Sequence, residues 1–199
     1  VPSANATNKL EKIQVLVLDG SAHAADLLRD VFLKLGFMNI QVVSDGYEGA
    51  QAMKKKPVHL VITDWELRVR KKPKISDTSP PSDKDILPLS GTEFVRRLRQ
   101  SPHSPNPFVP VVMVVNHDAE ENAALARDAG VNEIITKPLQ ADELCARLMQ
   151  LIDDRRHFIT AENYKGPCRR RAANPLGEGV VERRQRQVRL VRRKEFRSS

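Results

Sequence analysis

Short, almost purely apolar runs alternate along this chain with stretches whose apolar residues recur at helical spacing. Ile13 to Leu18 is a continuous apolar run broken only by Gln14, and it stops at Asp19-Gly20. Leu27, Leu28, Val31, Phe32 and Leu35 then lie at helical intervals across 24–35, and Gly36 is a natural C-terminal stop. The pattern continues as a strand over 40–43, a helix over 46–54 and a third strand over 58–63 ending at Asp64. After an interruption it resumes with a helix from Gly91, a strand over 109–115, a helix over 120–129, a strand over 134–136 and a helix over 141–152. Five strand–helix units with nearly all-apolar strands predict a parallel sheet covered on both faces. Right-handed crossovers make this an α/β, flavodoxin-like, doubly wound (βα)5 fold.

The interruption spans 68–90. It contains Lys71-Lys72-Pro73-Lys74 and Ser79-Pro80-Pro81-Ser82 with almost no periodicity, and reads as a solvated loop insertion after the third strand. Charge changes the picture at the other end. From Arg155 to Ser199 there are 14 Lys and Arg against 4 acids; the residues before them hold 19 bases and 21 acids. The expected organisation is a flexible start at 1–11, a mildly acidic folded body at 12–153 and an arginine-rich extension at 154–199. Cys145 and Cys168 form no disulfide framework and match no metal-ligand spacing. No apolar run approaches the ~18 residues of a membrane span, and 1–9 has no signal-peptide apolar region. A cytoplasmic setting is the expectation.

In doubly wound sheets the working site lies off the carboxyl ends of the strands. Those ends carry Asp19, Asp64, Val115-Asn116 and Lys137-Pro138. Two carboxylates and a lysine at one rim suit a hard cation and a phosphoryl group, with an aspartate able to form an acyl phosphate.

The strings VLVLDG (15–20), LVITDWE (60–66), GTEFVRRLR (91–99), VPVVMVVN (109–116) and AGVNEIITKPL (129–139) resemble the receiver domain of response regulators, most of all those of chemotaxis. The resemblance implies that Asp64 is the phosphoacceptor, Lys137 the invariant lysine and Pro138 the proline of a cis peptide. Asp19 stands first in the acidic pair that holds Mg2+, and Glu66 stands where a backbone carbonyl completes the metal shell. Three positions depart from the family. Gly20 replaces the second acid, Val115 the hydroxyl residue that would bond the phosphoryl group, and Ile134 the aromatic residue that reports the switch. Weak or absent Mg2+ binding and impaired phosphorylation are expected. The bland reading keeps Asp19, Asp64 and Lys137 as an ion-paired cluster that supports the fold. The resemblance also implies a protein-interaction module, not an enzyme, engaging its target through the fourth helix, fifth strand and fifth helix.

In the extension, Tyr164, Gly166, Pro167, Arg169, Arg170 and Arg171, followed by Arg183 and Arg184, resemble the arginine-rich tails of chemotaxis-regulator-like receivers that bind cyclic di-GMP and act on the flagellar motor. Guanidinium forks suit phosphates and guanine edges, and Glu178 and Glu182 can accept from guanine N1 and N2. Cys168 stands where such strings often have an acid. The competing readings are a solvated charge-rich tail, an anionic lipid surface, a nucleic-acid-binding regulator and a conventional receiver phosphorylated on Asp64. No helix-turn-helix pattern occupies the last 45 residues.

Overall fold

The computed structural model describes residues 10–67, 90–116, 120–152, 156–161, 164–168 and 189–191. Five parallel strands form the central sheet: β1 (Gln14–Leu18), β2 (Asn39–Val43), β3 (Leu60–Asp64), β4 (Val111–Val115) and β5 (Glu133–Thr136), in the order β2-β1-β3-β4-β5. The helices are α1 (Ala22–Lys34), α2 (Gly46–Lys55), α3 (Gly91–Gln100), α4 (Glu120–Ala129) and α5 (Ala141–Ile152). This is the flavodoxin-like doubly wound arrangement that the apolar pattern predicts.

The two faces of the sheet bury separate clusters. Alternate strand residues Leu16, Leu18, Val61, Met113 and Val115 pack with Met53 of α2, Phe94 and Leu98 of α3, and Ala126 of α4. The intervening residues Val15, Val17, Ile62, Val112 and Val114 pack with Leu28 and Phe32 of α1 and Leu144 and Leu148 of α5. Period-two alternation on strands buried from both sides gives runs with no polar face, which is why they read as continuous apolar segments. Helix starts are capped as local chemistry dictates. Asp45 accepts from the Glu48 N–H at 2.8 Å and Ser90 from the Glu93 N–H at 3.2 Å. Gly36, at φ +94°, closes α1. Strand β4 begins at Val111, two residues later than its apolar run, because Pro110 has no N–H to give to a ladder.

The 68–90 insertion leaves and rejoins the body at one point. Glu66 and Ser90 form an antiparallel bridge, and the Gly91 N–H donates to the Trp65 carbonyl at 2.8 Å. A Cβ at Gly91 would stand 2.0 Å from the Asp64 carbonyl oxygen, so only glycine lets α3 start this close to the end of β3. Residues 68–89 themselves lie outside the described residues.

The extension begins as folded structure. Strands β6 (Phe158–Ala161), β7 (Tyr164–Pro167) and β8 (Arg189–Val191) form an antiparallel sheet in the order β7-β6-β8. The sequence reading assigns no secondary structure there, since its apolar residues are few and interleaved with charge. Strand β7 packs against α3 and α4. Arg99, fully buried at the end of α3, organises the junction. It donates to the carbonyls of Gly130, Pro107 and Val109 at 3.1, 2.7 and 2.7 Å and to Asn132 Oδ1 at 3.0 Å. Its guanidinium lies 5.2 Å from the centre of the buried Phe158 ring, which meets Phe108 edge-on.

Candidate functional site

Because β1, β3, β4 and β5 are consecutive neighbours in a parallel sheet, their carboxyl ends bring Asp19, Asp64, Val115 and Lys137 to one rim. Asp64 ends β3. Its Oδ2 lies 2.8 Å from Lys137 Nζ, and its Oδ1 accepts from the Trp65 N–H at 2.8 Å. The Lys137 backbone is held in turn by its N–H donating to the Val115 carbonyl at 2.8 Å, and the Lys137–Pro138 peptide is cis.

Asp19 is 2% exposed. Its Oδ1 accepts from the Ser21 N–H at 2.8 Å, while its buried Oδ2 has no hydrogen-bond partner. Burial pushes its carboxyl above the usual range; the Ser21 N–H opposes this, Asp64 adds to it, and Lys137 partly offsets it. A buried carboxylate oxygen with no donor, facing a second carboxylate, is an acceptor that a hard cation would satisfy. The fit to Mg2+ is therefore real but thin. Gly20 supplies no carboxylate, and the Glu66 side chain is exposed, leaving only its backbone carbonyl for the rim. Among the described residues no group of three or more His, Cys, Asp or Glu is arranged to hold a metal ion. The two other departures are equally apolar in place. Val115 is buried, and Ile134 packs half-buried on the cluster that contains it.

The tail motif divides. Tyr164 and Gly166 have architectural work in β7: the Tyr164 hydroxyl donates to the Pro167 carbonyl at 2.8 Å. A Cβ on Gly166 would stand 2.8 Å from Gly130 Cα, and one on Gly130 would stand 2.6 Å from the Lys165 carbonyl oxygen. The two glycines thus let β7 and the end of α4 touch backbone to backbone. Arg169, Arg170, Arg171, Glu178, Glu182, Arg183 and Arg184 lie outside the described residues.

Sequence reasoning missed Arg99, Asn132, Glu133 and Arg156. Arg156 donates to the Asn132 carbonyl at 3.1 Å and lies 3.3 Å from the buried Glu133 carboxylate, which Arg147 of α5 approaches to 4.0 Å. The one available signal was Arg99 following Phe94, Val95 and Leu98 on a short helix, a charge beside the apolar stripe.

Residues 82–149 match the response regulator receiver domain family. The chain is 27% identical over 140 residues to the "Probable chemotaxis protein CheY" of Rhizobium etli, covering 69% of this chain and 91% of that one. It is 23% identical to chemotaxis protein CheY-3 of Vibrio cholerae, covering 72% and 94%. Among solved structures it resembles chemotaxis protein CheY4 of Vibrio cholerae, with a TM-score of 0.55 at 19% identity over 70% of this chain and 98% of that one. The receiver domain of the Francisella response regulator 1452 gives a TM-score of 0.53 at 24% identity, over 70% and 96%.

Proposed function

Taking the body of this chain as a CheY-like response-regulator receiver domain, we propose that it is a signalling module whose main input enters through the C-terminal extension. Phosphorylation of Asp64 is the weaker input. Gly20 leaves the rim one carboxylate short. Asp19 and Asp64, with the Glu66 carbonyl, would hold Mg2+, which supplies neutralising charge for a phosphoryl group. With Val115 in place of a hydroxyl and Ile134 in place of an aromatic ring, a phosphoryl group on Asp64 meets no hydroxyl from Val115 and turns no ring at β5.

The observation that carries the reading is the way the extension is attached. Arg156 ties its root to Glu133 at the start of β5, and Glu133 also faces Arg147 of α5. Lys165 lies against Gly130 at the end of α4. The extension therefore touches α4 and β5 directly and reaches α5 only through Glu133, at one end of the α4–β5–α5 face, the surface expected to meet the protein target. By its resemblance to chemotaxis regulators that target is a component of the flagellar motor. The ligand is cyclic di-GMP, whose two phosphates and two guanines suit Arg169, Arg170, Arg171, Arg183 and Arg184, with Glu178 and Glu182 on the guanine edges.

Calorimetry of cyclic di-GMP against the intact chain tests this. Binding at micromolar ligand, weakened by about a hundredfold in a variant with Arg169, Arg170 and Arg171 all changed to Ala, is expected. Absence of heat with the intact chain overturns it.

The 2.8 Å Lys137–Asp64 pair favours a second reading, a conventional receiver. Here an Asp64 carboxylate oxygen attacks the phosphorus of acetyl phosphate, and the bond from phosphorus to the acetyl oxygen breaks to release acetate. Lys137 neutralises a phosphoryl oxygen. Incubation with acetyl phosphate and Mg2+, followed by mass spectrometry of the Asp64 peptide, supports this reading if stoichiometric phosphate is found.

A further inference from the structure

We infer that the open edge of β2 is an interface for a second copy of this chain, which pairs with it antiparallel and joins the two central sheets into one. The order β2-β1-β3-β4-β5 gives β2 a described neighbour on one side only. The Val43 carbonyl accepts from the Asp19 N–H at 3.1 Å. By strand alternation, Asn39, Gln41 and Val43 turn their backbone groups to β1, while Ile40 and Val42 turn theirs outward. Edge strands ordinarily carry a charge, a proline or a bulge that discourages strand addition. Strand β2 has none of these: it reads Asn-Ile-Gln-Val-Val and pairs with β1 without a break. The opposite edge differs, since β5 begins with Glu133 beside Arg147 and Arg156. Apolar surface accompanies the open edge, with Leu33 40%, Met38 62% and Val42 37% exposed.

The edge is complementary to itself. With a two-fold axis through Gln41, perpendicular to the sheet, Ile40 of each copy lies opposite Val42 of the other, and each such pair exchanges both N–H···O bonds. Val42 is in register with Val17, which belongs to the cluster beneath α1, so these pairs meet on the α1 side of the joined sheet. Gln41 turns to the other side and meets its own copy. Its amide offers both donor and acceptor, where a charged side chain would repel itself. Helix α1 fits the same axis. Asp26, Arg29 and Leu33 each follow one of its buried residues, Ala25, Leu28 and Phe32, and form one exposed side. The right-handed β1–α1–β2 crossover turns that side toward the open edge. Two-fold symmetry runs the two α1 helices antiparallel across the seam. Asp26 and Arg29, near the middle of α1, then face Arg29 and Asp26 of the second copy. The seam lies at the far edge from β5 and shares no residue with the Asp64 rim or the extension. Both α4–β5–α5 faces stay open at the ends of the joined sheet, so the dimer presents them as a pair.

Sedimentation equilibrium of the intact chain, from about 5 to about 500 μM, tests this. A reversible monomer–dimer equilibrium with a Kd on the order of 10–100 μM is expected, because one strand and one helix side make a small interface. Amide hydrogen exchange locates it. The Ile40 and Val42 amides should gain protection as protein concentration rises, while those of Gln41 and Val43, already turned to β1, should not change. Val42→Pro removes an outward N–H and keeps the ladder to β1, so it should abolish the dimer and retain a native thermal transition. Asp26→Arg should weaken dimerisation by about tenfold, and Asp26→Arg/Arg29→Asp should restore it. This charge swap decides the matter if the proline variant does not fold. A chain that stays monomeric at about 500 μM overturns the inference. So does a dimer that survives Val42→Pro, gains its protection away from β2, or is not restored by the charge swap, since each places the contact on another face.

Discussion

Asp19 is buried to 2% exposure with one carboxylate oxygen bonded to the Ser21 N–H and the other without a partner. Its carboxyl is therefore raised above the ordinary carboxylate range, chiefly by burial. The folded chain then holds the Asp19 proton more tightly than the unfolded chain does. The stabilisation this contributes is present below the unfolded carboxylate's pKa and is lost as pH rises through the folded value. At neutral pH the ionised group is a liability. Asp19→Asn keeps the acceptor for Ser21 and replaces the orphan oxygen with a donor facing Asp64. In urea unfolding without divalent cations the variant should be more stable by about 1 kcal/mol at neutral pH. The advantage should shrink to nothing as pH falls below about 4. An advantage that persists at acid pH would show that the carboxylate's charge is not its source. Mg2+ should narrow the neutral-pH gap by stabilising only the wild type, read from the same midpoints.

Among the elements, β7 and the insertion offer contrasting tests. Strand β7 meets the end of α4 through Gly166 and Gly130, where a Cβ on Gly166 would approach Tyr164 Oη to 2.6 Å and Gly130 Cα to 2.8 Å. Gly166→Val should undock the hairpin at a cost of about 1–3 kcal/mol. Amide exchange checks this: the β6 and β7 amides should exchange faster while those of β1 and β3, deep in the central sheet, keep their protection. Uniform loss of protection would mean that hairpin and body unfold as one. The insertion should behave differently, because the Glu66–Ser90 bridge and the 2.8 Å Gly91-to-Trp65 hydrogen bond close its base independently of what lies between. Replacing residues 68–89 with a short glycine-containing turn should leave the five-stranded body folded with its stability changed by no more than about 1 kcal/mol. Thermal unfolding and the β-sheet circular dichroism of the shortened chain check it.

At the scale of the whole molecule, a mildly acidic body and a strongly basic extension share one buried junction, with Arg99 bonded to Gly130, Pro107, Val109 and Asn132 and covered by Phe158. A ligand on the extension is thereby linked to the stability of the body. Under the proposed reading, cyclic di-GMP at a hundred times its dissociation constant should stabilise the intact chain by about 2.7 kcal/mol in a single unfolding transition. Two separated transitions, with only the minor one moved by ligand, would show that the junction does not couple them. Under the proposed reading, the same ligand should protect amides of β5 and the end of α4 from exchange.

The five strand–helix units, their order and the rim residues Asp19, Asp64, Val115 and Lys137 were all determined by local pattern. Strands such as β4, buried on both faces, must be apolar at every position, and parallel strands must deliver their carboxyl ends to one side. The 2.8 Å contact between Asp64 and Lys137 joins residues 73 positions apart, and the shared rim made it foreseeable as a neighbourhood though not as a distance. What lies opposite a residue in space is a different matter. The sequence pattern gives Arg99 and Phe158 no role and takes Gly166 as part of a ligand motif. Only the tertiary structure, by setting β7 across the ends of α3 and α4, turned these three into a buried hub, its cover and a backbone contact. Periodicity reports which face of a segment is apolar, while docking depends on the shape and hydrogen-bonding groups of a second segment far along the chain.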